Sequence, residues 1–156
     1  MRVPQRIASA LTRTRWDPFT IRLGSRVHTF LFRRLKLGRF RLVGQDSLIL
    51  TTVGRTSGRE TSTPLFYAEG SDGRLYVAAS FAGSGTAPQW YRNLLAHPEV
   101  AVETARYARR YRARTVDAGE AVRIWPLLDA VYPTYAKYRQ RAACVIPVIE
   151  LLPVPD

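Results

Sequence analysis

The sequence predicts a mainly β, α+β domain: a six-stranded antiparallel barrel with helices at its periphery. Three observations carry that reading. Short strand-like runs recur between residues 48 and 152, and most are joined by tight turns rather than by long crossovers. Helical periodicity appears only between strand pairs. No apolar run approaches the ~20 residues that span a bilayer, and the N-terminus lacks the apolar core and cleavage site of a secretory signal.

Taken in order, residues 1–16 read as a flexible basic leader and residues 17–156 as one domain. Asp17-Pro18 has the form of an N-cap followed by proline at the first helical position, opening a helix over about 18–35. Phe19, Leu23, Val27, Phe30 and Leu31 fall on one face of it, with Arg22, Arg26 and Arg33 mostly off that face, so it is amphipathic and basic. Strands are expected at 48–53 and 63–67, joined through Gly54 and Gly58. A hairpin then turns at Asp72-Gly73, a pair suited to positive φ, into a strand at 75–79. Pro88 opens a short helix over 89–96 that ends ahead of Pro98, with His97 helping to close it. Strands follow at 100–103 and 107–116. Asp117 and Glu120 form a capping-box signature for a helix that runs to Tyr132 and is broken by Pro133. A helical turn over 135–138 and a final strand at 145–152 complete the chain.

With 156 residues, 46% hydrophobic and 23% charged, the chain can bury a core and does not have the composition of a disordered one. Its net charge of +12 is unevenly placed. Residues 1–41 hold eleven of the 24 basic residues and only Asp17 on the acidic side, which leaves the body nearly neutral. Such an arm suits peripheral contact with an anionic membrane surface and equally reads as a solubilising, partly disordered tail. The apolar stripe of its helix suits packing on the domain before a membrane interface. Nucleic acid is not expected, since no binding motif accompanies the charge. Cys144 is the single cysteine, which excludes an internal disulfide, and its apolar surroundings in sequence suggest a buried thiol. The expected location is the cytoplasm, with contact at the inner face of the cell membrane. His28 and His97 lack ligand-like spacing, so no metal site is expected.

Two features carry candidate chemistry. The turn Gly54-Arg55-Thr56-Ser57-Gly58 can expose backbone amides as an anion nest, with Arg55 and Arg59 adding charge-assisted hydrogen bonds. Taken alone, a plain hairpin turn explains it as well. The second is an aromatic set, Phe66, Tyr67, Trp90, Tyr91, Tyr132, Tyr135 and Tyr138. Tyr135 and Tyr138 share a face if their turn is helical, and together these rings suit either a planar ligand or ordinary packing.

In order and spacing, several segments resemble the deazaflavin-dependent nitroreductase family. They are Leu50-Thr51-Thr52-Val53-Gly54-Arg55-x-Ser57-Gly58, Thr63-Pro64-Leu65, Val77-Ala78-Ala79-Ser80, Pro88-x-Trp90-Tyr91-x-Asn93-Leu94, Trp125-Pro126, Tyr132-Pro133-x-Tyr135 and Ile146-Pro147-Val148. The resemblance runs from about Ile21 to Leu152. It implies a split β-barrel related to the flavin-reductase and pyridoxamine-oxidase barrels. It also implies hydride transfer from reduced coenzyme F420, rather than FMN, to an electron-poor small molecule such as a quinone, nitro compound or activated enone. By resemblance, Arg55, Thr56, Ser57, Gly58, Arg59 and Thr61 would meet the cofactor's phosphate tail. Pro64, Val77, Ala78, Ala79 and Ser80 would line its ring, with Trp90 and Tyr91 holding that side of the pocket. Phe66, Tyr132, Tyr135 and Tyr138 would face the acceptor, with Ser80 or a tyrosine donating a hydrogen bond or proton to it. Related barrels often form homodimers.

The chain departs from that pattern at three cationic positions. Thr56 stands where the family usually has lysine or arginine, Thr61 where it has a phosphate-binding arginine, and Phe81 where a lysine is common. Ala142-Ala143-Cys144 also replaces a polar Thr-x-Arg pattern. These departures raise an alternative: a non-catalytic split-barrel protein that binds a lipid or other hydrophobic ligand.

Overall fold

Seven strands form a single sheet, in the order β2-β1-β5-β6-β7-β4-β3, with every neighbouring pair antiparallel. The computed structural model describes residues 46–155; the leader, the expected helix over about 18–35 and the rest of the arm to residue 41 lie outside the described residues. The strands are β1 (Ser47–Val53), β2 (Glu60–Phe66), β3 (Ala68–Glu69), β4 (Leu75–Ala78), β5 (Glu99–Glu103), β6 (Ala108–Thr115) and β7 (Val148–Pro153). Three helices accompany them: α1 (Gln89–Ala96), α2 (Ala118–Val131) and α3 (Thr134–Arg141). The curled sheet is a split barrel, and its two edges are β2 and β3.

The seventh strand is the two-residue β3, which pairs Ala68 with Tyr76 and Glu69 with Leu75. It is too short to leave a periodic trace in sequence. β2 begins at Glu60 rather than at residue 63, because polar residues extend it: Ser62 pairs with Thr51, and their hydroxyls lie 2.9 Å apart. β7 starts three residues later than expected. Val145 is 88% exposed, and Pro147 has no N–H to give to a ladder, so regular pairing begins at Val148.

Strand alternation divides the apolar residues between two cores. Inside the barrel lie Leu48, Leu50, Leu75, Val77, Val100, Val102, Tyr111, Ile149 and Leu151, with Trp90 and Leu94 of α1 closing one end. The outer face of β4 and β7 supplies Ala78 and Val148 to a second cluster, where Ile124 and Leu128 of α2 and Tyr135 of α3 pack. The Asp72-Gly73 turn has the expected positive φ at both residues, 59° and 73°.

The expected capping box opens α2. The Glu120 amide donates to Asp117 Oδ1 at 2.8 Å, and the Asp117 amide donates to Glu120 Oε2 at 3.0 Å. The same carboxylate receives both terminal nitrogens of Arg114, each at 2.9 Å. Arg114 also reaches Glu150 Oε2 through Nε at 3.0 Å and Nη2 at 2.6 Å, while Arg74 donates to Glu150 Oε1 at 3.1 Å. Glu150 is 3% exposed. Burying a carboxylate costs several kcal/mol unless partners offset it, and here arginines from the strands on both sides do so.

Arg114, followed by the Asp117 backbone N–H, holds the Glu120 carboxyl down to about 2 from an ordinary 4.5. A carboxyl whose folded pKa lies below its unfolded value contributes stability that is fully present above the unfolded value. That contribution drains as pH falls toward the folded one. Chemical denaturation of Glu120→Gln should therefore show a flatter acid limb than the parent between pH 4.5 and 2. Identical limbs would remove Glu120 from the acid response.

Candidate functional site

The loop between β1 and β2 is a six-residue turn whose backbone donors are mostly spent inside the protein. The Gly54 amide bonds to the Arg59 carbonyl and the Gly58 amide to the Gly54 carbonyl, both at 2.8 Å. The Arg59 amide reaches Ser57 Oγ at 3.3 Å, and the Arg55 amide reaches Asn93 Oδ1 on α1 at 3.2 Å. The anion nest expected from sequence therefore narrows to two amides, those of Thr56 and Ser57, which have no acceptor among the described residues. Glycine is required at position 54, where a Cβ would lie 2.5 Å from Ser57 Oγ and 3.1 Å from the Arg59 carbonyl oxygen. Gly58 sits at φ 64°. Arg55 and Arg59 are exposed and form no ion pair among the described residues.

β2 brings Thr61 directly across from Thr52, on the face it shares with Leu65. Pro64 falls on the opposite face with Ser62 and Phe66. Thr61 and Pro64, grouped together from sequence, therefore do not converge on one side of the sheet.

The end of β4 separates the four ring-lining candidates. Val77 and Ala79 point into the barrel core, and Ala78 into the outer cluster; all three are buried. The Ala79 amide is taken by the Pro147 carbonyl at 2.9 Å. In an antiparallel ladder, alternate residues turn their N–H and C=O to opposite neighbours. The amides of Ala78 and Ser80 therefore point away from β7, toward the side on which β3 has already ended. Those two amides do not pair with β7. The side chains of Val77 and Ala79 serve the core instead.

After Ser80 the backbone turns through three successive left-handed residues, Phe81 (φ 40°), Ala82 (φ 56°) and Gly83 (φ 73°). Such a run is costly for residues with a Cβ and persists where surrounding structure enforces it. The enforcing surface is α3: a Cβ on Gly83 would stand 3.2 Å from Tyr138 Cα and 3.3 Å from its Cβ. The half-buried Ser80 hydroxyl lies at the start of this turn.

Tyr138 belongs to a continuous aromatic row. Phe66 stacks on Tyr132 with centroids 4.6 Å apart, and Tyr132 meets Tyr135 edge-on at 5.2 Å. Tyr135 meets Tyr138 at 6.2 Å, and the Tyr132 and Tyr138 hydroxyls lie 3.4 Å apart. α3 does place Tyr135 and Tyr138 side by side. Burial pushes the Tyr135 and Tyr138 phenols above the usual tyrosine range; like any tyrosine they are protonated at physiological pH and can donate hydrogen bonds. Behind the row, Arg139 makes a two-pronged pair with Asp129, both bonds 2.7 Å, and lies 4.1 Å from the Trp125 ring centre. Trp125 in turn packs edge-on against Tyr135. This clamp between α2 and α3 was not read from sequence, because its members are ten or more residues apart across a helix break.

α1 closes the barrel end beneath the turn. Trp90 is 6% exposed within the core, so its ring is a plug rather than a surface. Tyr91 is half-buried, edge-on to Trp90, with its hydroxyl 3.3 Å from Thr115 Oγ1. The helix ends as expected at His97, whose amide bonds to the Asn93 carbonyl at 2.8 Å. Asn93 itself went unremarked as a site residue, since sequence does not reveal which polar residue on an apolar helix face will be buried. Cys144 is a correction: its thiol is exposed, 3.3 Å from the Gly85 carbonyl oxygen, because the run around it turns outward before β7.

Comparison with known proteins follows this geometry. The family described as F420H(2)-dependent quinone reductase matches residues 24–153. An F420H(2)-dependent quinone reductase of Mycobacterium tuberculosis is 31% identical over 108 residues, 67% of this chain and 72% of that protein. Among solved structures, an F420-H2 dependent reductase described as FDR-A is 31% identical and superposes with a TM-score of 0.63, over 67% of this chain and 92% of that one. Another, described as a domain-swapped dimer, is 29% identical with a TM-score of 0.65, over 80% and 96% of the two chains.

Relieving the left-handed strain beside Ser80 tests the loop geometry. Ala82→Gly should raise unfolding stability by about 0.5–1 kcal/mol in urea titration, since glycine carries no Cβ penalty there. A loss of stability would contradict the left-handed conformation at this residue.

Proposed function

This chain belongs to the F420H(2)-dependent quinone reductase family, and from that premise we propose that its split holds reduced coenzyme F420 between the β1–β2 turn and the end of β4, with the tyrosine row receiving the acceptor. The observation that carries this reading is the set of donors left unspent. The amides of Thr56 and Ser57 sit between the exposed cations Arg55 and Arg59, and the amides of Ala78 and Ser80 turn away from β7. Phosphate needs the first group, and the polar edge of a deazaflavin suits the second. The residues present fit the cofactor.

When bound, reduced coenzyme F420 supplies a hydride; the chain supplies position and hydrogen bonds. Arg55 and Arg59 neutralise the phosphate tail while the Thr56 and Ser57 amides orient it. Ala78 and Ser80 fix the ring edge through backbone donors. Across the split, the Tyr135 and Tyr138 phenols, protonated at physiological pH as tyrosines are, donate to the oxygen of the acceptor as it gains charge. The Ser80 hydroxyl is a further donor on the cofactor side. Phe66 and Tyr132 provide a stacked apolar wall that excludes water from the transfer path. A quinone is the acceptor class favoured, because its planar ring matches that wall and each carbonyl can take one phenol. Nitro compounds and activated enones present similar planar, oxygen-bearing acceptors.

Two assembly features extend this reading. The cationic segment 1–41 suits contact with anionic lipid, where apolar quinones partition. A homodimer is supported by the relative whose structure is described as a domain-swapped dimer.

The second reading, a non-catalytic binder of lipid or another hydrophobic ligand, is favoured by the missing cations at Thr56, Thr61 and Phe81. Fluorescence titration with oxidised coenzyme F420 separates the two. Micromolar or tighter binding supports the reductase; no binding at high concentration sinks it in favour of the carrier. Thr61→Arg should tighten that binding about three- to tenfold, a charge-assisted bond weakened by water at an exposed site. No gain would show that Arg59 already serves that phosphate.

The phenols make a separate prediction about turnover. Tyr135→Phe and Tyr138→Phe should each lower kcat with a quinone acceptor about tenfold or more, while binding of oxidised coenzyme F420 is unchanged. Unchanged kcat in both variants would remove the tyrosine row from the chemistry.

A further inference from the structure

Asn93 is 1% exposed on a helix face otherwise given to Trp90 and Leu94, which pack in the barrel core. A primary amide buried among apolar side chains is unfavourable unless both its ends are bonded. Here both are. Oδ1 accepts the Arg55 backbone N–H at 3.2 Å, and Nδ2 donates to Thr52 Oγ1, also at 3.2 Å and also buried. The bonds Gly54 to Arg59 and Gly58 to Gly54 only close the turn on itself. The bond from Asn93, 38 residues away in sequence, is what ties the turn to the body of the barrel.

We propose that Asn93 is the positioning residue of the cofactor-phosphate turn, acting through the Arg55 backbone rather than by touching the cofactor. Its amide group is fully engaged by the protein and carries no charge to offer. By drawing the Arg55 N–H toward the barrel, it leaves the next two amides, Thr56 and Ser57, as the turn's outward donors. Thr52 belongs to the same device: the Arg55 N–H, a donor only, requires Oδ1, and the Thr52 hydroxyl accepts from Nδ2 and anchors the other end of the amide. The consequence is selective. Loss of Asn93 weakens recognition of the phosphate tail and leaves the ring and acceptor sites alone. This inference rests on the turn binding phosphate, as set out above.

The test compares Asn93→Ala and the near-isosteric Thr52→Val with the parent chain by two readouts. The first needs no cofactor: amide hydrogen exchange at Arg55, followed by NMR, should quicken about tenfold in Asn93→Ala, the protection given by one net hydrogen bond. Exchange at Leu50 in mid-strand should hold. The second is fluorescence titration with oxidised coenzyme F420 and with the deazaflavin nucleoside that lacks the phosphate tail. Affinity for the full cofactor should fall about tenfold in Asn93→Ala and about threefold in Thr52→Val, while nucleoside affinity changes less than twofold. KM for the reduced cofactor should rise in step, with kcat at saturation retained. Equal weakening toward both ligands, or unchanged affinity for coenzyme F420 in both variants, overturns the proposal. If Asn93→Ala does not fold, Thr52→Val carries the comparison alone. Arg55→Ala and Arg59→Ala tell the two failures apart: should neither affect coenzyme F420 more than the nucleoside, the phosphate reading itself falls. The exchange result still decides whether Asn93 holds the turn.

Discussion

The strand on which the rest of the structure depends is the last one, β7, together with the carboxylate buried on it. β7 pairs with β6 on one side and β4 on the other. Without it the sheet divides into β2-β1-β5-β6 and a small β4-β3 pair. The first part would hold the β1–β2 turn, and the second the Ala78 and Ser80 amides. Glu150 lies at the middle of β7 and draws Arg74 and Arg114 inward from either flank. Arg114 then passes the connection to Glu120 at the start of α2. One charged chain thus fixes β4 beside β7 and sets the helix that carries Tyr132 at its far end. A leucine at 150 could bury as much apolar area, but it would leave two arginines without a reason to lie across the strand boundaries. The carboxylate serves register and helix placement more than net stability.

Function here is written in what the backbone does not spend. Folding consumes four of the six amides of the β1–β2 turn and leaves those of Thr56 and Ser57 without an acceptor among the described residues. Along the end of β4 the amides of Ala78 and Ser80 turn away from β7. An open nest of six amides would bind anions in many poses. Two amides held by a turn that is already hydrogen-bonded permit few, and that pre-organisation lowers the entropy of binding a tail. The left-handed residues Phe81 and Ala82 belong to the same design. Their strain is balanced by contact of the following Gly83 with Tyr138, so the end of β4 and the tyrosine row share one packed seam.

Much of this was legible in the sequence, and the boundary is physical. The capping box at Asp117 and Glu120, the Asp72-Gly73 turn and the helix stop at His97 depend on neighbours within a few residues, so local chemistry determines them. The antiparallel barrel was legible because hairpins require no long-range knowledge to pair. β3 and the polar start of β2 escaped because they bury little apolar surface and so leave no pattern. The site was legible as a set of positions and illegible as a set of roles. Nothing in Val77-Ala78-Ala79-Ser80 says which amides meet β7 and which meet the split; the ladder's parity decides that, and parity is set by a strand 70 residues away. Asn93 was hidden for the same reason. Cys144 marks the opposite error, in which a thiol in an apolar run ends in solvent.

The missing cations make sense on this architecture. Thr56 and Thr61 are exposed, and neither side chain has a hydrogen bond among the described residues. The turn is held by Gly54, Gly58, Ser57 and Asn93, none of which needs a charge at position 56 or 61. Phe81 is half-buried, and its ring can pack where a lysine would reach toward the split. Exchanging cations for neutral residues at these places therefore costs the fold little and falls almost wholly on ligand affinity. A chain that had given up the cofactor would be free to lose the arrangement that aims the amides as well. This one keeps Gly54, the Asn93 bond to Arg55, and, among the described residues, the unspent donors of Thr56 and Ser57 with two unpaired arginines beside them. Gly54 and Asn93 hold the turn itself; on the reading proposed above the donors and arginines they present suit an anion, which weighs toward a reductase with a weakened grip on its cofactor's tail rather than a carrier that has abandoned it.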